Sequence, residues 1–158
     1  MHPTTILDFV SLFFAGILAG MEFVIHYGVR DAAQMLDDQV QLQLRQALVL
    51  RLRVLVPAFF LPAVLSGIAA TILDGTMPGW WLRGVSLLAM LIWILIRVIG
   101  TVPINSATLA WKSSAPPENW QALVARAERF HIVGVWAVVM AFACFLAALA
   151  LKLHASAA

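Results

Sequence analysis

Residues 132–151 read IVGVWAVVMAFACFLAALAL, twenty positions without a charge or a proline. At 1.5 Å per residue, about 20 helical residues cross a hydrocarbon core of about 30 Å. Three further runs have the same character: Ile6 to Ile25, Val54 to Leu73 and Trp80 to about Ile96. In a chain of 158 residues, 63% hydrophobic and only 11% charged, with a mean hydropathy of +0.94, four such runs leave no room for a separate soluble domain. The expectation is an all-α integral membrane four-helix bundle, a single domain over 1–158, with helices over about 5–30, 36–74, 80–111 and 118–152.

The first run has no basic leader and passes into Glu22 and His26 without a small-residue cleavage pattern, so it reads as a span and not as a signal peptide. Cys144 is the single cysteine, which excludes an intrachain disulfide. A net charge of +2, with basic residues close to apolar runs, argues against nucleic acid as a partner. Those residues report on topology instead. Arg83 and Lys152 fall on the side of the termini and of the LDGTMPGWWLRG loop (73–84), whereas Arg30, Arg45, Arg51, Arg53, Lys112, Arg126 and Arg129 fall on the other. The positive-inside rule then predicts a cytoplasmic location for the second side and both termini outside, in a membrane such as the bacterial inner membrane. Trp80 and Trp81 suit the outer interface.

The helices outlast the apolar runs on the basic side. DDQVQLQLRQALVLRLRVLVP (37–57) has no Gly or Pro before Pro57 and opens on capping-type Asp37 and Asp38. Pro57 and Pro62 are expected to kink this helix without ending it. RVIGTVPINSATLAW (97–111) prolongs the third helix, the fourth should begin near Pro117 and Glu118, and KSSAPPEN (112–119) is a short polar connector.

Antiparallel packing brings several polar residues to one level: Glu22 and His26 on the first helix, Arg45 and Arg51 on the second, Arg97, Thr101 and Asn105 on the third, Glu128 and His131 on the fourth. Glu128-x-x-His131 is the spacing by which helix-bundle carboxylate proteins offer oxygen and nitrogen ligands from one helix. With Glu22 and His26 the set would suit iron, copper or zinc. The competing reading is ion-pair scaffolding, in which Glu22, His26 and Glu128 pair with Arg45, Arg51 or Arg97. A haem or quinone electron carrier with His26 and His131 as axial ligands, and a non-catalytic membrane partner or carrier, are the rivals from other classes. The expected surroundings are the lipid bilayer and a small aromatic or quinone-like molecule, with a homo-oligomer left open.

GMEF (20–23), RQALVLRLRVLVP (45–57), VPIN (102–105) and ERFHIVG (128–134), in this order, resemble the small four-helix membrane proteins of the anthrone-oxygenase-like family over nearly the whole chain. The resemblance implies an oxygenase or oxidase acting on a flat phenolic ring system, with Glu22, Arg45, Gln46, Arg51, Asn105 and His131 at the pocket. A departure from that pattern is Gly134, where a basic residue often follows the helix 4 histidine. On this reading Glu22 or Glu128 would serve as general base or metal ligand, His26 and His131 as ligands or proton carriers, and Arg51, Arg97 and Asn105 would steady a developing phenolate.

Overall fold

The computed structural model describes residues 3–157, and 87% of the chain is helix with no strand among the described residues. Four helices long and apolar enough to cross a membrane run up and down. Helix α1 spans Pro3–Val24 and continues through a π turn, Ile25–Val29, into a last turn at Arg30–Ala33. Helix α2 is Asp38–Asp74. Helix α3 is Trp80–Ile96, continued by a second π turn, Arg97–Thr101, and by Val102–Thr108. Helix α4 is Trp120–Ala157. The bundle thus has a two-loop end, holding 34–37 and 109–119, and a terminal end with 75–79.

The outcome differs from the sequence expectation in detail. Helix α1 reaches Ala33 because the π turn absorbs Gly28 without breaking the helix. Helix α4 starts at Trp120, since Pro117 is used as a turn whose carbonyl accepts from the Trp120 amide at 3.0 Å. Asp37 stands at the N-cap of α2 but makes no side-chain cap bond. Pro57 and Pro62 lie inside an unbroken α2.

Between the helices the core is built from Ala15, Leu18, Ala19, Ala63, Met90, Trp93, Val138, Ala141 and Phe145. Alanines at facing positions let backbones approach, which matters in a bilayer because lipid supplies no hydrophobic drive between helices. The 75–79 loop closes just as tightly: Gly79 has φ +87°, and a Cβ there would meet the Ala148 carbonyl oxygen at 2.7 Å.

One feature of the terminal end was not anticipated. Arg83 and Lys152, read above only as flanking charges, are buried with Asp8 and Asp74, one residue from each helix. Arg83 Nε lies 2.8 Å from Asp8 and its Nη2 2.6 Å from Asp74. Lys152 Nζ donates to Asp8 at 2.8 Å, Asp74 at 2.6 Å and Thr4 Oγ1 at 2.9 Å, so its three protons are all used. Two acids balance two bases, and the vertical register of all four helices is tied to that match. Removing one member strands an opposite charge, which costs about 3–5 kcal/mol. Lys152→Met should therefore lower stability in detergent by about that amount, and adding Asp8→Asn should recover more than about 1 kcal/mol of it. Chemical or thermal unfolding of the single and double variants measures both values, and strict additivity would refute the coupling.

Candidate functional site

At the two-loop end, both helical irregularities fall at one level. Pro103 in α3 has no N–H for the carbonyl of Ile99, and its ring presses on that turn. The preceding Arg97–Thr101 segment is correspondingly widened into a π turn. Within it, Gly100 lies against the Phe130 ring so closely that a Cβ would overlap it. The turn carries Arg97 and Thr101, both buried. On α1 the other π turn carries His26, also buried. Such turns recur at functional sites because they re-aim the side chains that follow.

Two ion clusters result. In the first, Glu22 is wholly buried, and Arg97 Nη1 lies 2.6 Å from each of its oxygens. His131 Nε2 lies 2.8 Å from Glu22 Oε2, and the Arg97 guanidinium sits 5.1 Å over the Trp93 ring. In the second, Glu128 receives Arg30 Nε on one oxygen at 2.8 Å and Arg45 Nη1 on the other at 3.0 Å, while Arg45 Nη2 donates to Asn105 at 2.9 Å. His26 stands between the clusters with its ring 5.4 Å from that of His131. Among the described residues, His26 Nδ1 and Thr101 Oγ1 are buried without a hydrogen-bond partner, together with Trp93 Nε1 and Arg45 Nε.

A cavity of about 410 Å³ opens beside these groups. Ile25 and Val29 of α1 and Leu44, Leu48, Val49 and Leu52 of α2 make an aliphatic wall; Arg97, Thr101 and Asn105 of α3 and Glu128 and His131 of α4 make a polar one, joined by Arg45. Gln121 donates to Asp38 at 3.2 Å at the rim, and Gln41 holds the Ala33 carbonyl at 3.0 Å, fastening the end of α1 to α2.

Of the residues singled out from sequence, Arg45, Arg97, Thr101, Asn105, Glu128 and His131 line the cavity, and Glu22 and His26 lie directly behind it. Two do not belong. Arg51 is exposed on the outside of α2, because six residues beyond Arg45 turn a helix by about 600°, leaving it about 240° around the axis. Gln46 spends its amide on the carbonyls of Thr108 and Trp111, both at 2.9 Å, closing the end of α3. Roles change as well. Both oxygens of Glu22 and both of Glu128 are held by cationic or imidazole groups, so neither acid stands ready as a free general base. Glu22 is also outside the group of candidate metal ligands, which comprises His26, Glu128 and His131. The two imidazole rings, His26 and His131, meet edge to face at 70°. Arg30, absent from the sequence reading of the site, is the second cation on Glu128. Its spacing of four from His26 was the available signal.

The fold and site define an all-helical, membrane-type bundle with a charged cavity at one end. No protein-family model matches the chain, and neither a curated protein nor a solved structure matches it.

The Gly100–Phe130 contact gives a packing test. Gly100→Ala must push the Phe130 ring away from α3 and is expected to cost about 1–3 kcal/mol. Pairing it with Phe130→Leu should restore part of the loss in thermal unfolding; no change for Gly100→Ala alone would contradict the close approach.

Proposed function

We propose that the protein is a membrane-embedded oxygenase that oxidises a flat phenolic or quinol-like aromatic amphiphile, of the anthrone type suggested by the resemblance of its sequence motifs. The observation that carries this reading is the division of the cavity into an aliphatic wall and a polar, cationic one. A volume of about 410 Å³ accommodates a fused-ring molecule lying on the leucines with its oxygen-bearing edge on Arg45, Arg97 and Asn105. Arg30, Arg45 and Arg97 pair with Glu22 and Glu128 on the inner side of the cavity while Asp38 lies at its rim, so positive charge is concentrated on the inner wall. Such a site favours the ionised form of a weakly acidic ligand.

For an anthrone, ionisation gives an electron-rich enolate whose ring carbon can attack dioxygen. The enolate carbon gains a C–O bond and forms a peroxide anion, which takes back the proton lost on ionisation. The hydroperoxide then eliminates water across its C–H and O–O bonds. The balance is one CH2 and one O2 consumed, one C=O and one H2O formed. The protein's contribution is positional and electrostatic: fixed guanidinium and amide donors hold negative charge on oxygen without solvent reorganisation.

A hydroxyanthrone and its O-methyl ether, added to detergent-purified protein, test this. The hydroxyanthrone should bind at least tenfold more tightly than the ether and be consumed with one O2 per molecule. Arg45→Gln should reduce turnover at least tenfold, and Arg51→Gln should leave it unchanged. Oxidation no faster than in detergent micelles alone would reject the proposal.

The same reading places the two-loop end in the cytoplasm, following the distribution of basic residues. In a Cys144→Ser background, a cysteine at position 114 should be labelled only from the cytoplasmic face of oriented vesicles; labelling from the opposite face would reverse the assignment.

A further inference from the structure

We propose that His26, Glu128 and His131 form a site for one divalent first-row transition ion, of the two-imidazole, one-carboxylate kind that suits iron(II), with Glu22 as an outer partner and not a ligand. The inference deepens the oxygenase reading of the same cavity. One ligand atom from each of the three residues lies within 4.8 Å of the others. With metal–ligand bonds of about 2.0 to 2.2 Å, ligand atoms around an ion sit about 3 to 3.5 Å apart, so small side-chain rotations close the set.

Three independent features point to a ligand there. His26 is only 5% exposed, yet its Nδ1 has no partner among the described residues, an arrangement that leaves a buried nitrogen lone pair or N–H unused. His131 is held through Nε2 by the Glu22 carboxylate, which leaves Nδ1 as its metal-facing nitrogen. Metal-bound histidines characteristically give their second nitrogen to a carboxylate in this way, which fixes ring orientation and raises basicity. Glu128, finally, receives one guanidinium on each oxygen, and each oxygen keeps a further lone pair.

The donor set contains nitrogen and oxygen and no thiolate, which selects against soft ions. Three protein ligands leave coordination positions open, and Glu128 and His131 border the cavity. Charge sets a condition. Two guanidinium groups, Arg30 and Arg45, lie on the ligand Glu128 itself, so an anionic molecule entering beside a bound dication would offset their repulsion. Metal and phenolate should therefore strengthen each other's binding.

Chelator-stripped protein in detergent, titrated with Cu2+ as a spectroscopic stand-in, tests the site. Elemental analysis should find one ion per chain, electron paramagnetic resonance should show two imidazole nitrogens on it, and a hydroxyanthrone should tighten its binding at least tenfold. His26→Gln should reduce the nitrogen count to one. Substoichiometric copper in the wild-type protein, or two nitrogens persisting in His26→Gln, would overturn the site without reliance on any variant's folding alone. Hydroxyanthrone binding to the stripped wild-type protein, measured separately, reads the cavity: its retention with no metal site would overturn only the metal, and its absence with the metal present would overturn the oxygenase reading.

Discussion

A buried charge must find its opposite, and the bundle is organised around that requirement. In a low-dielectric surrounding an unpaired guanidinium or carboxylate is costly, and each of the ionised groups that α1 to α4 carry inside the bundle is matched across helices. The two ends solve the problem differently. At the terminal end Asp8, Asp74, Arg83 and Lys152 pair with one another across all four helices, which is the arrangement of a structural clamp. At the two-loop end the charges are also paired, but the pairing leaves several buried polar atoms without partners among the described residues, and a cavity. The cavity beside the second set of charges is what makes it a candidate site.

Backbone irregularity accompanies that second arrangement. Both π turns sit at the level of the polar cluster and none occurs at the clamp. In α3 the cause is local, since Pro103 cannot complete the turn before it, and Gly100 lets Phe130 pack where the helix widens. The widened turn then orients Arg97 toward Glu22 and Thr101 toward the cavity. A regular helix with the same sequence would rotate everything after Arg97 relative to α4.

Much of the site was legible because helical periodicity survives in the motifs. Glu22 and His26 share a face, Glu128 and His131 share another, and Arg45 and Asn105, expected at one level with them, line the cavity. Arg51 was expected at the pocket because it shares a level with Arg45 and falls in the motif run 45–57, although the angular step between them sends it outward. Gln46 was assigned to the pocket, while the end of α3 offered it two unpaired carbonyls. The clamp went unread because Asp8, Asp74, Arg83 and Lys152 are isolated in sequence, each at a different helix end, and nothing local links them.

What the sequence by itself determined is the set of spans, their number, their alternation and which end is basic, because hydropathy and charge act through the solvent that each segment meets and need no knowledge of neighbours. Which charge meets which was decided only in the tertiary structure. Pairing depends on the relative rotation and height of four helices, and those are set jointly by alanine-lined contacts, by the two π turns and by the demand that Glu22 find Arg97 while Asp8 and Asp74 find Arg83 and Lys152. A one-dimensional pattern carries the face of each helix, whereas a cavity exists only where several faces meet and fail to fill the space between them.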